Sequence, residues 1–123
     1  RKYKNGVFKM KMYLDDEREP KNSYDVIVRS FEEAVSFVEN NGIPNFISFD
    51  HDLGSDNMGN ILKDGYDFAK WLVDMDIENI HKFPEDFTFN VHSANPVGRN
   101  NINSILNNYF IFKVRYKDSF LED

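Results

Sequence analysis

In the stretch Phe46-Ile47-Ser48-Phe49-Asp50-His51-Asp52-Leu53-Gly54, a short apolar run leads directly into three ionisable residues. Residues 46–49 are short, mainly apolar and rich in strand formers, which is typical of a strand buried in a parallel sheet. Ionisable groups directly after a buried strand are costly unless another group pairs with them. In parallel α/β proteins, ligands bind beyond the carboxyl ends of the strands. The stretch therefore predicts a buried parallel strand that ends in a polar site.

Two further runs have the same form, a predicted strand followed by polar residues. They are Leu14-Asp15-Asp16-Glu17 and Val91-His92-Ser93-Ala94-Asn95. If the three strands are parallel neighbours in one sheet, several carboxylates meet at one edge and repel one another. A bound cation relieves this repulsion, and oxygen ligands suit Mg²⁺ or Mn²⁺. We therefore expect a site for one of these cations, with the ligands Asp15, Asp16, Asp50 and Asp52.

Other side chains of these runs indicate acid–base and phosphate-binding chemistry. His51 and His92 are candidate catalytic residues, because imidazole changes its charge near neutral pH. Asp50 is a candidate catalytic nucleophile or metal ligand. Helix starts bind anions, which favours phosphate binding after the fourth strand. The candidate substrate-binding residues there are Ser93, Asn95 and Arg99. Turn formation and helix capping are the alternative roles for these Asp, Ser and Asn side chains.

The hydrophobic pattern along the chain predicts strands that alternate with helices. The predicted strands span residues 10–14, 25–29, 46–49, 87–91 and 110–116, and the predicted helices begin near Ser30, Asp64 and Pro96. The segment between the first two strands is polar, and it is short for a parallel crossover, which usually needs a dozen or more residues. We therefore expect a single α/β domain of three layers. Its sheet would be five-stranded and mainly parallel, and its first helix missing or reduced.

Length and composition fit one domain, with residues 1–9 as a basic arm and residues 10–123 as the domain. Residues 1–13 hold five basic residues and no acid, so the remaining chain has ten basic against 21 acidic residues, a balance of -11. An acidic body argues against general binding of duplex DNA. The sequence shows neither a membrane span nor a signal peptide, and the absence of Cys fits a reducing cytoplasm.

The motifs resemble those of response-regulator receiver domains, which have a flavodoxin-like sheet. The resemblance rests on the acidic pair Asp15-Asp16, on Asp50 after the third strand and on Ser93-Ala94 after the fourth. It implies that the acidic pair and Asp50 hold Mg²⁺, with the carbonyl of Asp52 completing the set. The chain departs from receivers in its two site histidines and in lacking a Lys-Pro after the last predicted strand. Lys113 and Lys117 are the candidates for the missing phosphate-clamping lysine.

A more specific resemblance accounts for these departures. Residues 14–20, 49–54 and 92–98 are similar to the motifs of the cyclic-phosphate-processing receiver-like family. That family is proposed to act on cyclic phosphates of nucleotides or RNA ends, near RNA repair and phage systems. The resemblance implies a cytoplasmic, metal-dependent phosphoesterase in which the two histidines serve as base and acid. The alternatives are a signalling receiver phosphorylated on Asp50, and a nucleotide-binding or phosphate-binding module without turnover.

Overall fold

The elements of the chain form a parallel sheet with helices. The computed structural model describes residues 3–4 and 7–121, and it describes side chains for residues 9–116. In chain order the elements are β1 (Tyr3–Lys4), β2 (Val7–Phe8), β3 (Lys11–Leu14), β4 (Val26–Val28), α1 (Phe31–Asn41), β5 (Phe46–Phe49), α2 (Gly65–Ile77), β6 (Thr88–Val91) and α3 (Pro96–Leu121). The main sheet has the order β4-β3-β5-β6, and each of its pairings is parallel. The parallel receiver-like sheet is therefore confirmed for four strands.

The predicted basic arm contains a small second sheet. In it, β1 and β2 form an antiparallel pair, while Arg1 and Lys2 lie outside the described residues. The boundary between an arm of residues 1–9 and a domain of residues 10–123 stays a prediction.

One hydrophobic core joins the helices to a single face of the sheet. Alternate strand residues such as Met12, Leu14, Ile47 and Phe49 are fully buried in it. Their helical partners in the same core include Ala34, Val38, Phe68, Leu72, Ile102 and Leu106. Residues 15–25, which join β3 to β4, contain no helix. The prediction of three layers is therefore wrong for the described residues, which form two.

Two side chains cap the first two helices where the sequence predicts helix starts. The Ser30 hydroxyl accepts the N–H of Glu33 at 3.0 Å, and the Glu33 carboxylate accepts the N–H of Arg29 at 2.8 Å. The second bond reaches one residue further back than in a capping box. Asp64 begins α2 in a full capping box with Asp67. The start of α2 lies close to the Asp50 motif, since the Gly65 N–H donates to the His51 carbonyl at 2.8 Å.

The predicted fifth strand over residues 110–116 is wrong, because α3 continues through them to Leu121. No Gly or Pro follows Gly98, so the sequence contains no strong stop signal for this helix. The rings of Phe112 and Tyr116, four residues apart, stack at 5.7 Å, and such pairs stabilise a helix. Despite the length of α3, none of the helices in the described chain is apolar enough to cross a membrane.

A buried carboxylate on α2 fixes the position of α3. Asp76 is 1% exposed, and its Oδ1 accepts the N–H of Phe83 at 2.9 Å. Its Oδ2 accepts the hydroxyl of Tyr109 and lies 3.0 Å from Nζ of Lys113. Because Tyr109 and Lys113 are four residues apart, they lie on one side of a helix and reach the same carboxylate. This shared partner helps to explain why the segment is helical.

We expect Asp76→Asn to lower the free energy of unfolding by about 2 kcal/mol at pH 7, because it removes charge-assisted hydrogen bonds. Burial alone raises the pKa of Asp76, but hydrogen bonds from Tyr109, Phe83 and Lys113 outweigh it and lower the pKa below 3.8. The ionised group therefore stabilises the fold above that value, and this contribution is lost as the pH falls through the lower folded pKa. Urea denaturation should show a smaller difference from wild type in acid. The exposed Asp74→Asn on the same helix is the control, and equal stability of the two variants at pH 7 would contradict the expectation.

Candidate functional site

The register of the sheet aligns three site residues side by side. Leu14 pairs with Phe49, and Phe49 pairs with Val91, so the next residues along the three strands also lie level. These are Asp15, Asp50 and His92. The ladder continues into them, since the Asp50 N–H donates to the Leu14 carbonyl at 2.9 Å and the His92 N–H donates to the Phe49 carbonyl at 2.9 Å. The predicted convergence of the three strand ends is therefore present.

Asp15 is almost fully buried and accepts hydrogen bonds on both oxygens. Its Oδ1 accepts the N–H groups of Glu17 and Arg18 at 2.8 and 2.7 Å, and its Oδ2 lies 3.0 Å from His92 Nε2. Burial raises the pKa of Asp15, but the two N–H groups and His92 outweigh it, so the pKa is lowered. Asp15 thus forms the expected turn and, at the same time, presents an ionised oxygen to the site.

Asp50 has the opposite electrostatic environment. It is 9% exposed, and its Oδ1 accepts the N–H of His51 at 2.9 Å. Burial raises the pKa of Asp50, and the nearby Asp15 carboxylate raises it further. Two neighbouring carboxylates with pKa values shifted in opposite directions are typical of functional sites.

His92 is held on three sides. Its Nδ1 lies 2.8 Å from the Ser48 hydroxyl, and its Nε2 lies 3.0 Å from Asp15 Oδ2. The Tyr13 ring stacks on the imidazole at 4.5 Å with an interplanar angle of 5°. These contacts hold the imidazole with Nε2 directed towards Asp15.

A cavity of about 410 Å³ opens over these strand ends. Its walls include most of the predicted metal and phosphate ligands, namely Asp15, Asp16, Asp50, Asp52, Ser93 and Asn95. Asp52 is exposed, and its Oδ1 accepts the N–H of Gly54 at 2.9 Å. Arg18 also lines the cavity and brings a cation into a largely acidic site.

The residues after β6 form a capped helix start. The Asn95 side-chain oxygen accepts the N–H groups of Val97 and Gly98 at 3.0 and 3.2 Å. The Ser93 hydroxyl accepts the N–H of Asn95 at 3.1 Å, so the hydroxyl hydrogen can still donate to a ligand. Arg99 donates to the Ser93 carbonyl at 3.0 Å and is not among the cavity-lining residues. The side chain of Asn95 thus has the capping role, and the phosphate-binding role of Ser93, Asn95 and Arg99 stays a prediction.

His51, like His92, is not among the residues that line the cavity in the described chain. Its Nε2 is 3.3 Å from Asp64 Oδ2 at the start of α2, and its Nδ1 is buried without a hydrogen-bond partner among the described residues. A Cβ added at Gly98 would lie 2.3 Å from the imidazole, so α3 packs closely on the ring. The prediction that His51 and His92 flank one phosphate stays a prediction, and of the two only His92 is grouped with Asp15 and Asp50.

Three ligand atoms of the aligned residues are close enough to share an ion. One atom each from Asp15, Asp50 and His92 lies within 4.8 Å of the other two. Two carboxylates and one imidazole form a donor set that suits a divalent cation. Whether a cation binds here, and whether it is Mg²⁺ or Mn²⁺, stays a prediction.

Two structural contributors were not assigned a role at the site from the sequence. The sequence pattern predicts Ser48 only as part of a buried strand, although a polar residue within an apolar run is a recognisable signal. Gly65 packs so closely that an added Cβ would lie 1.9 Å from the Asp50 carbonyl oxygen. The sequence contains no sign of that contact, because it depends on how α2 docks against β5.

The sheet order and the acidic cavity at the strand ends define a receiver-like α/β domain. The family model of the cyclic-phosphate processing receiver domain matches residues 10–108, so the chain belongs to this family. One solved structure, a yeast Spc42 trimeric coiled-coil segment fused to another structure, aligns with 18% identity and a TM-score of 0.46. The alignment covers 94% of this chain and 83% of that one. No curated protein gives a significant match.

Proposed function

We propose that the protein is a metal-dependent phosphoesterase that opens a cyclic phosphate on a nucleotide or an RNA end. The observation that carries this proposal is the alignment of Asp15, Asp50 and His92 at one edge of the sheet, where the two carboxylates line the cavity and His92 Nε2 lies 3.0 Å from Asp15 Oδ2. Carboxylates with pKa values shifted in opposite directions, next to an oriented imidazole, are the groups that acid–base hydrolysis requires. Membership of a family associated with cyclic-phosphate processing supports the choice of substrate class.

The cation would be held by Asp15 and Asp50, with Asp16 and Asp52 at the cavity wall as further oxygen ligands. When bound, it would supply Lewis acidity to the phosphoryl group and offset the repulsion between the carboxylates. The raised pKa of Asp50 fits this arrangement, since burial and Asp15 both disfavour its charged form. A bound cation would instead favour the charged form of Asp50.

The chain's own groups provide the remaining steps. Arg18 and the Ser93 hydroxyl would bind phosphoryl oxygens, and Asp50 would accept a proton from the attacking water. The new P–O bond forms to that water oxygen, while one ring P–O bond breaks. The charged imidazole of His92 gives its Nε2 proton to the leaving sugar oxygen. The product is a phosphate monoester, and solvent resets the two proton carriers.

The second candidate is a receiver that stores phosphate on Asp50, and the position of Asp50 at a strand end favours it. Against it, Lys113 is bound to Asp76 and does not line the cavity, while the Lys117 side chain lies outside the described residues. Labelling by acetyl phosphate distinguishes this candidate, because a stable phospho-Asp50 is expected only of a receiver. Binding of a cyclic nucleotide without turnover would indicate the third candidate, a binding module.

The direct test is turnover of 2′,3′-cyclic nucleotides and of an oligoribonucleotide with a cyclic phosphate end, followed by phosphorus NMR. We expect monoester to form with Mn²⁺ or Mg²⁺ and not with EDTA. His92→Ala should slow turnover by about 10²–10⁴-fold, the usual contribution of a general acid. His51→Ala is the matched comparison, and a smaller loss is predicted because His51 pairs with Asp64 and not with Asp15. Near-normal turnover in His92→Ala would contradict the assigned acid, and no monoester under any condition would overturn the proposed function.

A further inference from the structure

A buried hydroxyl beneath the cavity has no part in the chemistry described so far. Ser48 lies in β5 between Ile47 and Phe49 and is 2% exposed. It does not line the cavity. Burial of a hydroxyl is costly unless the hydroxyl is hydrogen-bonded, and the closest partner of Ser48 is His92 Nδ1 at 2.8 Å. The main contact of the hydroxyl is therefore its hydrogen bond with the imidazole.

The contacts around His92 show which atom donates and which accepts in each of its hydrogen bonds. Asp15 Oδ1 already accepts two backbone N–H groups, which favours the carboxylate form, and a carboxylate can only accept. The facing atom, His92 Nε2, must therefore carry a hydrogen. In a neutral imidazole the other nitrogen is then an acceptor, so Ser48 donates to Nδ1. The side-chain amide of Asn90 lies 3.4 Å from Ser48 Oγ and donates to it, which leaves the Ser48 hydrogen for His92.

We propose that Ser48 is a positioning residue that keeps the Nε2–H of His92 directed at Asp15, so that the neutral imidazole is a hydrogen-bond donor and not a metal ligand. A hydroxyl can donate to Nδ1 of the neutral ring and accept from Nδ1–H of the charged ring. Loss of the Nε2 proton from the charged ring leaves the hydrogen on Nδ1, from which the same hydroxyl accepts, so the ring need not turn. Coordination of a cation by Nε2 requires the opposite tautomer, in which Nδ1 carries the hydrogen. Only the predicted effect of Ser48 on catalysis rests on the proposed function.

Nitrogen-15 NMR of histidine-labelled protein tests the inference without any substrate. The chain has only three histidines, so His92→Gln assigns the signal. We expect the neutral ring of His92 in wild type to be the Nε2–H tautomer and to stay so when Mg²⁺ is added. Ser48→Ala should mix the tautomers, Ser48→Thr should restore one, and Thr88→Ala, an exposed residue of β6, should change nothing. An Nδ1–H tautomer in wild type, or an unchanged tautomer in Ser48→Ala, would overturn the proposal.

Kinetics on the cyclic phosphate supply the second readout. Ser48→Ala should lower kcat about 10–100-fold with little change in KM, as the loss of an orienting partner does, and Ser48→Thr should recover most of the rate. If Ser48→Ala does not fold, Ser48→Cys, a weaker hydrogen-bonding group, replaces it in both measurements. A changed tautomer without turnover of any cyclic phosphate in wild type would support the positioning role and reject the proposed function. Full activity in Ser48→Ala would reject the positioning role alone.

Discussion

Replacement of Asp50 by Asn is expected to abolish turnover of the cyclic phosphate while the protein stays folded. On the proposed mechanism, the variant loses both a cation ligand and the group that accepts the proton of water. Cation catalysis contributes several kcal/mol, and each ~1.4 kcal/mol is a factor of ten, so we expect a rate loss of at least about 10³-fold. The Asn oxygen can still accept the His51 N–H that Asp50 Oδ1 accepts at 2.9 Å.

The same variant should be at least as stable as wild type at pH 7. The folded pKa of Asp50 is raised, so its charged form destabilises the fold and stability is lost as the pH rises through that pKa. An uncharged Asn avoids the loss, and the two proteins should converge in acid. Thermal melting without added cation measures the difference, with the exposed Asp74→Asn as the control. A cation such as Mn²⁺ should raise the melting temperature of wild type and not of Asp50→Asn. An unfolded variant, or one that keeps the wild-type rate, would show that Asp50 has a purely structural role.

The largest loss of stability is expected from Gly65→Ala. The added Cβ would lie 1.9 Å from the Asp50 carbonyl oxygen and 3.0 Å from its carbonyl carbon. Both atoms belong to the backbone, so the clash is relieved only if the start of α2 moves away from β5. Overpacking in a tight core costs roughly 1–3 kcal/mol, and we expect a loss at or above the upper end of that range.

The control for Gly65→Ala separates the clash from conformational strain. Gly59 has a φ of +83° and no neighbouring atom within 4 Å of an added Cβ, so Gly59→Ala tests strain without a clash. Urea denaturation should show a clearly larger loss for Gly65→Ala than for Gly59→Ala. Because Gly65 borders the Asp50 motif, the folded fraction of Gly65→Ala should also bind cations more weakly. Equal stability of the two variants would contradict the packing argument.

The sequence predicted the parts of the fold that depend on local patterns. Four strands and the starts of α1 and α2 follow from apolar runs and from the capping residues Ser30 and Asp64. The fifth strand was wrong because residues 110–116 alternate like a strand, whereas a contact distant in the chain, between Lys113 and Asp76, favours a helix. The number of layers was wrong because no pattern within residues 15–25 reveals which face of the sheet remains without a helix.

The sequence predicted which residues form the candidate site, but not how their side chains are oriented. Residues directly after parallel strands meet at one edge, which places Asp15, Asp50 and His92 together. His51 follows the same strand as Asp50, yet its ring is directed at Asp64, because successive residues of an extended chain point to opposite sides. Spacing by two residues, which links Ser48 to Asp50, would have identified Ser48 as a neighbour of the site.

Because α3 is unbroken, one helix contains two segments that are protected from solvent to different extents. At about 1.5 Å per residue its 26 residues span about 39 Å, so one helix extends from the core into solvent. Ile102 and Leu106 in its first half are fully buried, whereas Ile111 and Val114 are 51% and 61% exposed. Amide hydrogens of the first half therefore exchange with solvent only when the whole domain unfolds, and those of the second half exchange through fraying of the helix end. A single helix thus joins a strongly protected segment to a weakly protected one.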